Sequence, residues 1–260
     1  MKKWVFLVLT SITLLSSCKT PQDIAYLQDV STQQSIQTPS DGYIRFQPGD
    51  KLSIFVHSRD EQLRDLFNIS GRNGGTYNSQ GGSQNYAPYT VDSNGEIDFP
   101  VLGNIKIEGC TRDEVAKNIK EQLISNNLCK DPIVNVAFYD MSFSVLGNAG
   151  TGVKHINKDR ITLFEALAMA SDLQIDGLRK NVLVMRQEGD KQVPYRVDLT
   201  SSQSIYNSPV YYIRQNDVIY VEPNNKYKRN STVMGSSAYQ PTFWMSLASF
   251  LTTMALIFIK

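Results

Sequence analysis

Two short motifs constrain the fold of this chain more than any other feature of its sequence. Residues 111–114 (TRDE) and 162–165 (TLFE) both have the spacing of a helix capping box. In this motif a Thr hydroxyl and a Glu carboxylate bind backbone N–H groups that the first turn of a helix leaves free. Both motifs lie among segments with strand character. We therefore predict an α+β fold of two units, each with one helix packed on strands.

The first predicted unit covers residues 42–139. Its strand signals are alternating apolar residues bounded by turn residues, and they occur at 43–56 around a QPGD turn, at 96–100 after a DSNG turn, and at 133–138. After the first capping box, Val115, Ile119 and Leu123 recur at helical spacing. Strands followed by a helix and a further strand indicate an α+β domain.

The second predicted unit covers residues 140–223. Strand signals occur at 142–146, 182–186, 195–199 and 218–221, and the second capping box opens a helix that ends near Ser171. One short helix against several strands indicates a β-grasp-like module.

The N-terminus has the layout of a secretory signal peptide. Lys2 and Lys3 precede an apolar run at 4–15, and the sequence LSSC at 15–18 resembles the bacterial lipobox. We predict a signal peptide at 1–17, an acylated Cys18 and a polar tether at 18–41. The lipid on Cys18 is the only attached group that we expect. The alternative is an ordinary signal peptide in which Cys18 is incidental.

The C-terminus carries an uncharged run at 243–259. As a helix it would be about 26 Å long at ~1.5 Å per residue, which suits a thin outer membrane. We predict a linker at 224–240 and a transmembrane helix at 241–260, and a ring of such helices would enclose a lumen. The predicted lumen or helix-interface face consists of Ser246, Ser249, Thr252 and Thr253, and the predicted lipid face of Phe243, Trp244, Leu247, Phe250, Leu251, Met254, Ile257 and Phe258. The alternative is a helix packed on a soluble core.

The composition argues against several function classes. A net charge of +1 lacks the excess of positive charge that nucleic-acid binding needs. Two histidines and three cysteines without CxxC or HxxxH spacing give no basis for a metal site. Glu96 and Asp98 could form the carboxylate pair of a hydrolase, although we favour a solvated strand face. His57 and His155 lie in no nucleophile motif. We therefore predict no enzymatic activity.

Two further features have no predicted role in function. Residues 70–85 are rich in Gly, Asn, Ser and Gln and lack the Gly-Lys-Ser/Thr ending of a phosphate-binding loop, so we interpret them as a flexible excursion. Cys110 and Cys129 flank a predicted helix about 20 Å long. A disulfide between them would require the chain to double back, so we expect two free, largely buried thiols, with a disulfide as the alternative.

Several motifs occur together in the order found in outer-membrane polysaccharide export proteins. The opening segment at 43–54 with its PGD turn and the sequence DPIV at 131–134 resemble the polysaccharide export domain of that family. Between them the matching positions are Val91, Asp92, Gly95, Ile97, Pro100, Gly103, Ile105, Gly109, Thr111 and Glu114. Val145, Gly147, the second capping box and NDVIYV at 216–221 resemble one soluble-ligand-binding β-grasp (SLBB) domain. At 170–173 the sequence ASDL replaces a common AGGL turn.

The resemblance implies an α+β fold, with a polysaccharide export domain at 42–139, an SLBB (β-grasp) domain at 140–223 and a single C-terminal transmembrane helix. It also implies a lipoprotein of the outer membrane, with most of the chain in the periplasm. Such proteins form a homo-oligomeric ring that passes capsular or extracellular polysaccharide to the cell surface. An inner-membrane copolymerase or tyrosine kinase is the implied partner. The alternative is a non-pore periplasmic glycan-binding or scaffolding lipoprotein, which would tolerate deletion of the terminal helix.

Overall fold

The computed structural model describes residues 24–33, 35–59, 63, 66–68, 88–232 and 240–259. The predicted signal peptide, Cys18 and the glycine-rich segment at 70–85 lie outside the described residues. Residues 233–239 of the predicted linker also lie outside the described residues.

The first unit contains a three-stranded antiparallel sheet, a separate hairpin and one long helix. The elements are β1 (Lys51–His57), β2 (Tyr89–Thr90), β3 (Glu96–Phe99), β4 (Gly103–Lys106), α1 (Arg112–Ser125) and β5 (Ile133–Phe138). The sheet has the order β2-β1-β5, and β3 pairs with β4 in the hairpin. Alternate residues of β1 are buried, as expected for a strand that turns one face to the core.

Helix α1 begins at the predicted capping box. The Thr111 hydroxyl accepts a hydrogen bond from the Glu114 backbone N–H at 3.3 Å, and the Glu114 carboxylate accepts one from the Thr111 N–H at 2.7 Å. The same reciprocal pair, between Thr162 and Glu165, begins the helix of the second unit. Both capping boxes are therefore confirmed.

The second unit is built on a five-stranded mixed sheet. Its elements are β6 (Ser142–Gly147), β7 (Gly152–His155), β8 (Ile161–Thr162), α2 (Leu163–Met169), β9 (Gly177–Glu188), β10 (Lys191–Val197), α3 (Ser202–Tyr206), β11 (Tyr212–Ile213) and β12 (Val218–Pro223). The strand order is β10-β9-β12-β6-β7, in which β12 runs parallel to β6 and the other neighbours are antiparallel. A short pair, β8 with β11, lies outside this sheet.

The two units pack directly on one another. Their buried side chains form a single hydrophobic cluster. At the junction, the Ile44 N–H donates to the Asp159 carbonyl at 2.8 Å, and the Arg112 guanidinium donates to the Asp159 carboxylate at 2.7 Å. The chain segments that enter the first unit therefore lie against loops of the second.

Two helices follow β12. Helix α4 (Asn225–Asn230) lies within the segment that we predict as a linker, and Asn224 caps it by accepting from the Tyr227 N–H at 2.9 Å. Helix α5 (Pro241–Ile259) lies at the predicted membrane span.

The prediction that α5 spans a membrane is wrong. Among the described residues, no helix is long and apolar enough to cross a lipid bilayer. Five of the nineteen residues of α5 are Ser or Thr, and they interrupt its apolar run. The single C-terminal transmembrane helix is therefore removed from the predicted fold.

The side chains that we assign to the two faces of α5 are exposed as far as they are described. The Ser246 hydroxyl donates to the Phe243 carbonyl at 2.9 Å, and the hydroxyls of Thr252 and Thr253 each donate to the Ser249 carbonyl at 2.8 Å. The apolar face is exposed at Phe243, Trp244, Leu247, Phe250, Leu251, Met254 and Ile257, and the Phe258 side chain lies outside the described part of the chain. We assign one face to a lumen and the other to lipid because we predict a transmembrane helix. Since that prediction is wrong, the two assignments have no support from it.

Candidate functional site

A cleft of about 980 Å³ opens where the two units meet. One wall comes from residues 39–50 and 108–109, which enter and cross the first unit, and the other from 186–190 and 208–216 of the second. Binding sites commonly lie at such junctions, because two separately folded walls can present polar groups toward one space. We take this cleft as the candidate functional site.

A buried ion pair supports the wall of the second unit. Strand β9 carries Arg186, whose guanidinium donates to the Asp217 carboxylate at 3.1 Å from Nε and 2.6 Å from Nη2. Two further N–H groups donate to the carbonyls of Pro209 at 2.8 Å and Tyr212 at 2.7 Å. Because both buried charges have a partner, the pair fixes the segment from 209 to 217 without leaving an uncompensated ion.

The wall of the first unit contains a buried carboxyl group. Asp50 ends the QPGD turn, and its Oδ2 accepts a hydrogen bond from the Gln47 N–H at 2.9 Å. The residue is only 4% exposed. Burial raises the pKa of this carboxyl to about 6, while the hydrogen bond from Gln47 acts in the opposite direction.

Tyrosine side chains connect the cleft to a second cavity of about 600 Å³. Tyr43, Tyr211 and Tyr212 line both spaces. The Arg160 guanidinium lies over the Tyr43 ring at 5.4 Å from its centroid, and the rings of Tyr211 and Tyr212 meet edge to face at 4.7 Å. The two cavities therefore form one groove with an aromatic junction.

Gly42 determines where the Tyr212 ring can lie. A Cβ atom at this position would overlap the ring carbons, so the backbone of the first unit approaches the tyrosine more closely than a residue with a side chain would allow. The Tyr212 hydroxyl also donates to the Pro39 carbonyl at 3.2 Å. These contacts join the two walls of the cleft.

The residues singled out from the sequence lie elsewhere. Glu96 and Asp98 are on β3, opposite Lys106 and Asn104 of β4, and are not among the described residues that line either cavity. His155 Nδ1 lies 3.7 Å from an Asp140 carboxylate oxygen on the surface. Among the described residues, no group of three or more His, Cys, Asp or Glu side chains could hold a metal ion.

The expectation of two free thiols is confirmed. Cys110 is half-buried and Cys129 is buried, and neither forms a disulfide. The Cys129 thiol lies 3.5 Å from the Ser58 hydroxyl. Burial, with the nearby Glu114 carboxylate, raises the pKa of the Cys110 thiol, which makes it a poor nucleophile.

Residues 24–33, which we predict to be part of a polar tether, contact the second unit through several hydrogen bonds. The Tyr26 hydroxyl donates to the Asp172 carboxylate at 2.5 Å, and the Arg179 guanidinium lies 5.3 Å from the Tyr26 ring centroid. Burial, followed by the Asp172 carboxylate, raises the pKa of Tyr26 to about 12. Asp29 accepts from the Ser202 N–H at 2.7 Å, at the start of α3. We call residues 24–33 the N-terminal strap.

The strap uses the turn at which the sequence departs from the expected AGGL pattern. Ser171 and Asp172 have φ angles of 62° and 64°, a region that normally favours glycine. The Asp172 carboxylate stabilises this turn by accepting from the Leu173 N–H at 2.7 Å while it also binds Tyr26.

Sequence reasoning identifies neither the cleft nor the strap. One available signal is Arg186, a charge inside the apolar strand sequence VLVMR at 182–186, because such a charge requires a buried partner. The QPGD motif is recognisable from the sequence only as a turn. Nothing local to Tyr26 or Asp29 indicates that they bind residues far along the chain.

Comparisons with known proteins agree with the family suggested by the sequence motifs. Residues 38–138 match the family described as polysaccharide biosynthesis/export protein. The chain is 30% identical over 189 residues to the EPS I polysaccharide export outer membrane protein EpsA of Ralstonia solanacearum, covering 71% of this chain and 49% of that protein. The protein of the same name from Ralstonia nicotianae is 30% identical over 190 residues, covering 71% and 48%.

The chain spans about half the length of the curated relatives it matches. The matched family region ends at residue 138, where β5 ends, and includes the first wall of the cleft. Through residues 38–138 the chain is similar to the polysaccharide biosynthesis/export protein family.

Proposed function

We propose that this protein takes part in the export of a polysaccharide through the outer membrane. The observation that carries the proposal is the family match over 38–138, which coincides with the first unit and its three-stranded sheet. Relatives at 30% identity are named as outer-membrane polysaccharide export proteins, which supports the same role and location. The protein acts by binding and conducting the polymer, without catalysis.

We further propose that Cys18 carries a lipid that attaches the chain to the outer membrane, with the folded units in the periplasm. The lipobox-like sequence at 15–18 supports this attachment. The strap begins only a few residues later, so an anchored Cys18 would hold the second unit close to the membrane surface.

The proposed working form is a homo-oligomeric conduit. Large apolar side chains are exposed on the folded units, among them Ile133, Val153 and Ile175. Contacts between subunits would remove such surfaces from water. An inner-membrane copolymerase or tyrosine kinase is the proposed partner that delivers the polymer.

The test is deletion of the gene from its host, followed by separate measurement of surface and periplasmic polysaccharide. We expect surface polymer to fall and to return when the full chain is supplied. Unchanged surface polymer after deletion would contradict the export role.

The lipid anchor and the oligomer need separate measurements. A Cys18→Ala chain should lose its membrane fraction, whereas Cys110→Ala, as a matched control, should keep it. The purified full chain should have a mass several times that of one subunit. A monomer that binds glycan but conducts none would instead support the scaffolding alternative. In that case the cleft lined by 39–50 and 208–216 would be the glycan-binding site.

A further inference from the structure

We propose that the groove between the two units binds a segment of a saccharide chain through hydroxyl-specific contacts, with Tyr43 as the packing surface and Gln215 as an unfilled acceptor. The inference rests on the proposed function, since that function supplies the polymer. It adds the site, its residues and the chemistry by which the polymer is recognised.

The size of the groove favours a chain segment over a single small molecule. The two cavities measure about 980 and 600 Å³ and share three tyrosines at their junction. A typical small-molecule site occupies about 300–1,000 Å³, so the joined groove exceeds that range. Both cavities are open to solvent, so a polymer could enter and leave from the side.

Gln215 supplies an acceptor that nothing in the described part of the chain fills. Its Oε1 atom is buried and has no hydrogen-bond partner among the described residues, and the residue lines the larger cavity. A buried acceptor normally has a donor, and a saccharide hydroxyl is a donor of the right kind. Gln47 and Asn216 line the same cavity and can donate or accept.

Tyr43 supplies an apolar surface beside these polar groups. The residue is 49% exposed, although it lies in the groove rather than on an outer face. The Arg160 guanidinium over its ring restricts the side chain. A rigid, accessible aromatic ring can pack against the C–H face of a sugar ring while the sugar hydroxyls reach the amides.

Three of the cations that line the groove are paired with carboxylates, which weakens the attraction of the groove for a polyanion. Arg186 is neutralised by Asp217 at 2.6 Å, and Arg45 lies 3.3 Å from Glu114. Lys158 in the smaller cavity lies 2.9 Å from Glu165. Recognition should therefore depend on hydroxyl groups, and binding should depend only weakly on salt.

The experiment measures binding of hexasaccharide-sized fragments of the host's own exported polysaccharide to the purified full chain. Saturation-transfer NMR observed on the sugar protons suits weak binding to a large protein. Maltohexaose and hexagalacturonate serve as neutral and acidic reference sugars. We expect Tyr43→Ala to weaken binding about fivefold, since an aromatic contact contributes about 1 kcal/mol, and Tyr43→Phe to bind like the natural chain.

Matched variants separate the groove from the remaining surface. Tyr139 is also about half-exposed but does not line either cavity in the described structure, so Tyr139→Ala should leave binding unchanged. Gln215→Ala should weaken binding, whereas Gln215→Asn, which keeps an amide acceptor without adding a charge, should retain part of it. Thermal unfolding of each variant verifies that it is folded.

Three results would overturn the proposal. The first is that the polysaccharide fragments do not bind the folded chain. The second is that Tyr43→Ala and the natural chain bind them equally well. The third is that only hexagalacturonate binds, with a steep dependence on salt concentration. If the fragments bind through the groove but deletion of the gene leaves export unchanged, the export role is contradicted and the saccharide site in the groove is not. Loss of export on deletion, with binding insensitive to Tyr43 and Gln215, would contradict only the groove.

Discussion

Arg186 and Asp217 form an ion pair with contacts of 3.1 and 2.6 Å, in which the side chains are only 3% and 1% exposed. The pair lies directly behind the wall of the groove. The same guanidinium holds two carbonyls of that wall, and the Arg214 N–H donates to the same carboxylate at 2.8 Å. One buried network thus links the main sheet of the second unit to the surface that faces the first.

Removing one partner of this pair should destabilise the protein strongly. We expect Asp217→Ala to lower the free energy of unfolding by about 3–5 kcal/mol, because it leaves a buried guanidinium charge without its carboxylate. The double variant Arg186→Leu with Asp217→Leu should recover part of the loss, since no isolated charge remains. Urea unfolding measures both. A loss below about 1 kcal/mol in Asp217→Ala would contradict the role assigned to the pair.

Asp50 should make stability depend on pH in the direction opposite to most carboxyl groups. A fully hydrated aspartate has a pKa of 3.8, whereas the pKa of Asp50 in the folded protein is about 6, so the folded state holds the proton more tightly. The stabilisation from this proton is complete below about pH 4 and is lost as pH rises through 6. The difference between the two pKa values corresponds to about 3 kcal/mol.

The measurement compares urea unfolding of the natural chain with Asp50→Asn from pH 4 to pH 8. We expect the variant, which keeps an acceptor for the Gln47 N–H, to gain stability relative to the natural chain as pH rises. Asp131→Asn, at an exposed position, is the matched control and should show no such trend. If the unfolding free energies of the natural chain and Asp50→Asn change with pH in the same way, the pKa of the Asp50 carboxyl is not raised in the folded protein.

The strap should be held less tightly when its tyrosine hydroxyl is removed. Tyr26→Phe loses the hydrogen bond to the Asp172 carboxylate but keeps the ring on Arg179, and we expect a loss of about 1 kcal/mol. The Leu27 and Gln28 N–H groups donate to the carbonyls of Leu199 and Thr200 at 3.1 and 2.8 Å. Hydrogen exchange at these two amides should therefore become about fivefold faster.

A control separates the strap from general loosening of the fold. Tyr139→Phe should leave exchange at Leu27 and Gln28 unchanged, and amides of β9 should keep their protection in both variants. Rapid exchange at Leu27 and Gln28 already in the natural chain would mean that the strap is not bound in solution.

The parts of the structure that could be predicted from the sequence are those set by neighbouring residues. The two capping boxes join residues three positions apart, and the strands follow from alternation within a few residues. Arg186 and Asp217 are 31 positions apart, and Tyr26 and Asp172 are 146 apart. No local pattern specifies which distant partner a side chain finds.

The C-terminal helix also shows that a local pattern predicts an element but not the surroundings of that element. Periodicity correctly places a helix at α5, because helical spacing is a property of the segment itself. Whether such a helix spans a membrane depends on how long its apolar run is and on what surrounds it. The uncharged character of the run favours a membrane span, whereas among the described residues no helix is long and apolar enough to cross a bilayer.

The contact between Gly42 and Tyr212 should couple the two walls of the groove. Gly42→Ala places a methyl group into the space that the Tyr212 ring occupies, and we expect a loss of about 1–3 kcal/mol of unfolding free energy. Tyr212→Ala removes the ring and its hydrogen bond to Pro39, and is destabilising by itself. In the double variant the clash no longer exists, so the two losses should not add.

A double-mutant cycle from urea unfolding measures this coupling. We expect the double variant to be more stable than the sum of the single losses predicts, by about 1 kcal/mol or more. Gly189→Ala is the control for the general effect of replacing a glycine, because an added Cβ there meets no neighbouring atom. Its own loss reflects only the positive φ of 58° and should be independent of Tyr212. Additive losses for Gly42 and Tyr212 would mean that the two walls move apart without resistance in solution, and the groove would then lack the fixed aromatic junction on which saccharide binding depends.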